Sequence, residues 1–284
     1  MRDSSIPMTL TLRGGPTVRR LGFGAMRITG RGVWGPPDED EAIALLRRVV
    51  DQGVNLVDTA DSYGPGISES LIAKALFPYP SDLVIASKGG FMRPGPGRWA
   101  VDGRPEHLRQ ACEGSLKRLR LDRIDLYQLH AVDPQIPIED SIGALVELQR
   151  EGKINHIGVS NVSANELHRA QDIAKIVSVQ NCYNFYETRS DNIIDICADA
   201  GIAFIAFYPL AKGRLAASSS PLVTIAERHH ATTGQIALAW LLHRSPIILP
   251  IPGTSSIAHF DENLAASGIH LSATEWQTLA RFDS

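Results

Sequence analysis

Cysteine is scarce in this chain: Cys112, Cys182 and Cys197 are the only three among 284 residues, and no two of them form a CxxC pair. So small a number cannot build a disulfide framework. An excess of either charge is lacking too. Lysine and arginine number 28 against 31 aspartates and glutamates, a formal net charge of −3, where a nucleic-acid protein shows a basic excess or stripe. No polybasic or acidic block occurs, and no apolar run approaches the ~18 residues that cross a bilayer. The opening Met1-Arg2-Asp3-Ser4-Ser5 has none of the apolar core of a secretory signal. No proline- or serine-rich linker divides the sequence, so residues 1–284 are expected to form a single domain. These absences lead us to expect a reduced, cytoplasmic protein with no nucleic-acid or membrane partner.

What is present is an alternation of short apolar runs with amphipathic segments. The runs 21–24, 55–58, 83–87, 124–129, 154–159, 177–180, 202–207 and 247–251 are rich in Val, Ile, Leu and Phe without clean alternation. That is how strands covered on both faces of a parallel sheet read. Between them, apolar residues recur three and four apart. Ile43, Leu46 and Val50 mark a helix over 39–52 that stops at Gly53, and Ile142, Leu145, Val146 and Leu148 mark one over 139–151. Residues 106–119, with Pro105 able to occupy the first turn, and 165–174, 192–200 and 233–243 read the same way. Eight strands with seven or eight helices is the count of a (β/α)8 TIM barrel. Residues 8–12, Gly14-Gly15 and 17–19 add an N-terminal β-hairpin. A doubly wound sheet is the competing architecture, because alternation does not decide closure.

In a parallel barrel the chemistry sits where strands end and loops begin. The second strand ends Val57-Asp58-Thr59-Ala60-Asp61-Ser62-Tyr63-Gly64, the third Ala86-Ser87-Lys88-Gly89-Gly90 and the fourth Gln128-Leu129-His130-Ala131. The fifth ends Gly158-Val159-Ser160-Asn161, and the sixth carries Gln180-Asn181. Singly, each has a bland explanation: Asp as a cap or turn residue, Lys as a solvated charge, His as a structural histidine, Tyr as cover for the sheet end. On one rim they make a proton donor. A free phenol has a pKa of ~10. An ammonium about 4 Å away at an effective dielectric of ~20 favours the phenolate by about 4 kcal/mol, or ~3 pK units, bringing Tyr63 toward neutrality. Asp58 would hold Lys88 charged, and His130 could hydrogen-bond a substrate oxygen.

The stretch from Gly53 to Gly64, GVNLVDTADSYG, resembles the signature of the aldo-keto reductases. Ile157-Gly158-Val159-Ser160-Asn161 and Ile251-Pro252-Gly253-Thr254-Ser255-Ser256 resemble two further segments of that family, and the likeness runs from about residue 21 to 263 in the order Asp, Tyr, Lys, His. The resemblance implies a barrel that binds NADP(H) and reduces a small-molecule aldehyde or ketone by hydride transfer. In it Tyr63 is the general acid, Lys88 and Asp58 tune it, and His130 orients the carbonyl. It further implies that Ser160, Asn161 and Gln180 hold the nicotinamide carboxamide and that Tyr208, in Phe207-Tyr208-Pro209-Leu210, stacks on the ring. Lys212, Gly213 and Arg214 would lie over the pyrophosphate, where cations suit phosphate charge.

By the same resemblance Gly253, Thr254, Ser255 and Ser256 with His259, Glu262 and Asn263 form the adenosine end. A helix starting near Ser256 would present free N–H groups there. Many relatives carry Arg or Lys where Gly253 or Ser255 stands and Arg where His259 stands. Without those cations, discrimination against NAD(H) should weaken.

Rival fingerprints fail. Gly22-Phe23-Gly24-Ala25-Met26-Arg27 puts Arg where the GxGxxG motif needs a small residue. Tyr208-Pro209-Leu210-Ala211-Lys212 fits YxxxK, but a proline in a helix interior costs ~3 kcal/mol. Two other classes stay open: a cofactor-binding redox sensor or regulatory subunit with slow turnover, and a barrel isomerase or lyase with no nicotinamide.

Substrate choice is expected in the loops 26–34 and 91–104, the second too rich in Pro and Gly to be helical. Trp34 and Trp99 are candidate flat walls for an aromatic substrate, or else pack their loops onto the barrel. Gly32-Val33-Trp34-Gly35-Pro36-Pro37, with Gly253-Thr254-Ser255-Ser256, resembles a bacterial subgroup that includes pyridoxal reductases. That suggests pyridoxal or another aromatic aldehyde, while Arg93, Arg98 and Arg104 could instead serve a phosphorylated sugar. A monomer and a homodimer are both compatible with the sequence.

Overall fold

The computed structural model describes residues 7–216 and 221–281. Strands β1 (Thr9–Thr11) and β2 (Thr17–Arg19) form an antiparallel hairpin, and the barrel begins at β3 (Phe23–Gly24). There follow α1 (Glu39–Asp51), β4 (Leu56–Asp58), α2 (Ile67–Leu76) and β5 (Val84–Gly89). A second hairpin, β6 (Phe91–Gly95) and β7 (Arg98–Val101), precedes α3 (Pro105–Leu119), β8 (Ile124–Leu129), α4 (Ile138–Arg150) and β9 (Ile154–Ser160). The chain continues through α5 (Ala164–Ile173), β10 (Ile176–Cys182), α6 (Asp191–Ala200), β11 (Ala203–Phe207), α7 (Pro221–Arg228) and α8 (Thr233–Arg244). It closes with β12 (Ile248–Pro250), α9 (Ile257–Ala265) and α10 (Ala273–Ala280).

Eight strands pair in parallel in the order β12-β11-β10-β9-β8-β5-β4-β3. The outer two then meet: Gly22 N–H donates to the Pro250 carbonyl at 3.0 Å and Gly24 N–H to that of Pro252 at 3.3 Å. The sheet is therefore a closed (β/α)8 barrel. Both strand faces are apolar because both are buried. Leu56, Val84, Ala86, Leu126, Ala203 and Ile205 fill the interior, while Val57, Ile85, Tyr127 and Phe204 pack outward against the helices.

The helices begin and end for local reasons. Asp38 caps α1 by accepting from Glu41 N–H, the buried stripe Ala42, Leu45, Leu46 and Val49 faces the sheet, and Gly53 turns the chain at φ 77°. Pro105 opens α3 as expected, and reciprocal capping boxes start α5, α8 and α10.

The N-terminal hairpin seals the end of the barrel opposite the strand C-termini. Leu12 and Val18 join the interior cluster. Beside them Arg20, buried to 1% exposure, donates to the carbonyls of Pro7, Leu242, Ser245 and Ile248. Those carbonyls satisfy a guanidinium that would otherwise be an orphaned charge.

Two parts of the reading change. The helix α2 carries no amphipathic stripe to detect, because Ser68, Glu69, Leu71, Ile72, Ala73, Ala75 and Leu76 are all buried. And 91–104 is no plain loop: β6 and β7 pair around a turn in which Gly97 takes φ 69°. Among the described residues no helix is long and apolar enough to cross a membrane.

Candidate active site

The C-terminal ends of the strands bring the expected groups together. Asp58 ends β4 and Lys88 lies near the end of β5, both buried, with Lys88 Nζ 2.6 Å from Asp58 Oδ1 and 2.8 Å from the Thr59 carbonyl. Two amides complete the carboxylate: Gln180 Nε2 on β10 donates to Asp58 Oδ2 at 2.7 Å, and Gln128 Nε2 on β8 donates at 3.4 Å. Gln128 in turn accepts from Ser178 Oγ at 3.3 Å. The ammonium lies 5.2 Å from the centre of the Tyr63 ring. That ring meets the His130 imidazole edge to face, centroids 5.7 Å apart. The Tyr63 hydroxyl has no hydrogen-bond partner among the described residues. Ser62 Oγ lies 3.5 Å from His130 Nδ1.

The electrostatics differ from the expected ones. Burial first, then the Asp58 charge, pushes the Tyr63 phenol well above its ordinary value rather than toward neutrality. The reason is geometric: Lys88 commits its charge to Asp58 and the Thr59 carbonyl, and burial pushes its own ammonium down. Burial thus favours the protonated form of Tyr63. His130 is pushed well below the usual imidazole range by burial and by the Lys88 charge, so at neutral pH it is an uncharged imidazole.

Beside this set runs a cavity of about 360 Å³, lined by Asp58, Tyr63 and His130, by Ser160, Asn161 and Gln180, and by Tyr208, Pro209, Leu210, Lys212, Gly213 and Gly253. Ser160 donates to the Gln180 backbone carbonyl at 2.7 Å, and Asn161 Nδ2 to the His130 carbonyl at 2.9 Å. With their donors committed, Asn161 and Gln180 keep their side-chain oxygens for a ligand. Lys212 Nζ sits 4.4 Å from the centre of the Tyr208 ring.

Arg214 does not reach the cavity; it is exposed and donates to the Ala211 carbonyl at 3.3 Å. Thr254, Ser256, His259, Glu262 and Asn263 also lie outside it. Ser256 caps α9, Thr254 Oγ1 accepts from Ser256 N–H, and Glu262 accepts from Thr232. Ser255 lines an adjoining recess with Arg27, Arg31, Asp38 and Glu41. Gly253 has a steric reason to be glycine: a Cβ there would lie 2.6 Å from the Gly24 carbonyl oxygen across the barrel seam. Arg27 lines both spaces and Phe91 the main one; neither is a site residue in the sequence reading, though both fall in the loops expected to carry specificity.

Of the two tryptophans, Trp99 lines the cavity and Trp34 does not. Trp34 instead packs against Arg93, whose guanidinium carbon is 5.4 Å from its ring centre. The arginines offer little to a phosphorylated sugar. Arg93 donates to four backbone carbonyls, Arg104 forks onto Asp102, and Arg98 does not line the cavity.

Behind the Tyr63 loop lies an acidic pair the sequence did not reveal, a buried Glu69 and a half-buried Asp61. Glu69 is satisfied by Ser87 at 2.5 Å and Arg118 at 2.7 Å, whereas Asp61 Oδ1 is buried with no partner. Burial and the Glu69 charge raise Asp61 to about 7. Its folded value exceeds its unfolded one, so the stability it contributes is full below the unfolded value near ~4. It is lost as pH rises through about 7. Asp61→Asn is therefore expected to leave the melting temperature unchanged in acid and raise it relative to wild type above neutrality. Parallel melting curves across pH would contradict this.

A closed parallel barrel with this rim matches a known group. Residues 20–284 match the Aldo/keto reductase family; the chain belongs to it and is an oxidoreductase that works with a nicotinamide cofactor. It is 45% identical to the pyridoxine 4-dehydrogenase of Escherichia coli over 278 residues, 95% of this chain and 96% of that protein. Among solved structures, a thermostable aldo-keto reductase in complex with the inhibitor epalrestat superposes with a TM-score of 0.85 at 34% identity, covering 96% of this chain and 98% of its own. An aldo/keto reductase from Klebsiella pneumoniae in complex with NADP and acetate gives 0.83 at 28% identity, covering 97% and 95%.

Proposed function

We propose that this protein reduces an aldehyde to an alcohol with NADP(H), and that the aldehyde is pyridoxal or another flat heteroaromatic or aromatic one. The observation that carries the reading is the buried, protonated Tyr63 facing a cavity beside neutral His130 and the paired Asp58 and Lys88. The residues fit the cofactor. Asn161 and Gln180 offer acceptor oxygens for a carboxamide, Tyr208 offers a ring face, and Lys212 and Arg27 supply cations along the groove. When bound, the nicotinamide supplies the hydride for the carbonyl carbon.

The chain does the rest. His130, with Nδ1 turned to Ser62, donates from Nε2 to the carbonyl oxygen, and Tyr63 delivers the proton to that oxygen. Lys88, 5.2 Å from the Tyr63 ring centre and held by Asp58, places a cation beside the phenolate left behind, partly offset by the Asp58 charge. Phe91 and Trp99 give the pocket apolar, aromatic walls, and a neutral planar substrate suits them better than a phosphorylated one. The pyridoxine 4-dehydrogenase relative supports this choice, and the NADP complex of the Klebsiella protein supports the cofactor.

The deciding experiment follows the loss of NADPH and NADH absorbance with purified protein and pyridoxal, a nitrobenzaldehyde or a simple aldose. Fast turnover of pyridoxal is the expected result. Turnover of the nitrobenzaldehyde alone would keep the reductase and discard pyridoxal. Tight cofactor binding with no turnover would overturn the reading in favour of a sensor.

At the adenosine end, Arg27 and Arg31 favour a 2′-phosphate while Asp38 and Glu41 oppose it, so NADH is expected to work as a second cofactor. Ser255→Arg adds a charge-assisted contact worth ~1.5–3 kcal/mol where well formed, and should raise the NADPH over NADH ratio of kcat/KM by roughly tenfold. An unchanged ratio would show that the 2′-phosphate lies elsewhere.

A further inference from the structure

The β6–β7 hairpin overhangs the cavity, and one side chain fastens it. Arg93 Nη1 donates to the Val33 carbonyl at 2.7 Å and to the Ser62 carbonyl at 3.2 Å. Nη2 donates to the Gly32 carbonyl at 3.2 Å, and Nε to the Arg98 carbonyl at 3.1 Å across its own hairpin. The guanidinium carbon also stands 3.9 Å from the centre of the Trp99 ring and 5.4 Å from that of Trp34. Three segments of chain are thereby pinned to one planar cation: the loop after β3, the loop carrying Tyr63, and the hairpin itself.

The pinning has a direction. With one face held by Arg93, Trp99 turns its ring edge to face against Tyr63, at 6.5 Å and 79°, and against Phe91, at 5.5 Å and 73°. Phe91 meets His130 at 4.6 Å. The aromatic wall thus runs without a break from the proposed proton donor, over the mouth, to the imidazole. Trp99 keeps 40% of its surface exposed, and Arg93, 3.9 Å from the ring centre, is the contact that covers its face while Tyr63 and Phe91 meet it edge to face. Four of the five guanidinium N–H groups go to carbonyls, so Arg93 has little left to bind an anion. A lysine could supply the charge but neither the fork nor the flat face.

We propose that Arg93 is a positioning residue that sets substrate specificity: by fixing Trp99 over the mouth, it selects flat aromatic and heteroaromatic carbonyls over small aliphatic ones. The inference rests on the carbonyl reduction proposed above.

Its test is a double-mutant cycle read on two substrates, a nitrobenzaldehyde and propanal, with Arg93→Ala, Trp99→Leu, the double variant and Arg93→Lys. Wild type is expected to favour the nitrobenzaldehyde. Arg93→Ala should lower kcat/KM for it by about tenfold, chiefly through KM, and change propanal by less than about twofold. Trp99→Leu should do the same, and the double variant should be no worse than Trp99→Leu, since both remove one coupled unit. Arg93→Lys should recover only part of the loss.

Equal losses on both aldehydes, or additive losses in the double variant, would overturn the clasp and leave Arg93 a general support of the Tyr63 loop. A wild type that prefers propanal would overturn it too. If wild type reduces neither aldehyde, the reduction itself fails. Nitrobenzaldehyde binding to the cofactor-loaded protein, read by tryptophan fluorescence, then decides the clasp alone: weakened by Arg93→Ala it stands, unchanged it falls.

Discussion

Replacing Tyr63 with phenylalanine is expected to cut carbonyl reduction by roughly 10²–10⁴-fold, the usual worth of a positioned general acid, while cofactor binding stays nearly intact. The substitution removes a single oxygen that makes no hydrogen bond to the described residues. The ring that remains keeps its edge-to-face contacts with His130 and Trp99. The effect should therefore appear in kcat and not in the affinity for NADPH, which is measurable by quenching of protein fluorescence. The high pKa of the buried phenol adds a second signature. Because burial and Asp58 keep Tyr63 protonated, and His130 stays neutral, the reduction rate should be flat with pH across the neutral range. Near-normal turnover in the variant would remove Tyr63 from the mechanism.

The second large effect concerns stability. Lys88 and Asp58 are both buried and pair at 2.6 Å. Breaking a buried pair by removing one partner costs ~3–5 kcal/mol, because the other charge stays behind uncompensated. Lys88→Met should thus lower the melting temperature by roughly ten degrees in a chain of this size. Asp58→Asn with Lys88→Met should recover most of that loss while remaining inactive, since the amides of Gln128 and Gln180 would face a neutral carbonyl oxygen instead of a carboxylate. Calorimetry of the single and double variants checks this. A double variant as unstable as the single one would mean that packing, not charge, dominates the site.

The barrel strands were legible because a doubly covered parallel strand leaves a short, dense apolar run. The edges moved by one or two residues: the run 177–180, for instance, extends to Ile176–Cys182. Helix α2 was not legible because periodicity needs an exposed side, and this helix has almost none. The grouping of Asp58, Tyr63, Lys88 and His130 could be read from their order along the rim. Its electrostatics could not, since Lys88 lies close to Tyr63 and yet spends its charge on Asp58 and a backbone carbonyl. Chemistry carried by main-chain carbonyls has no sequence signature, which is why Arg20 and Arg93 look like ordinary surface cations until the carbonyls around them are placed. The difference between Trp34 and Trp99 was equally hidden: both sit in loops rich in glycine and both meet Arg93, yet only Trp99 lines the cavity.

Arg20 also bears on how the chain reaches its native state. Its guanidinium grips carbonyls at Leu242, Ser245 and Ile248, more than two hundred positions along the polypeptide. Contacts so distant in sequence are the slowest to form, because most of the chain must be ordered before they return any free energy. On an emerging nascent chain, the hairpin and Arg20 leave the ribosome long before their partners exist. The Arg20 guanidinium must therefore wait for these partners until β12 has been translated. Folding of this barrel is bound to finish after synthesis of that last strand, when the buried cation at the foot of its first hairpin finally meets its carbonyls.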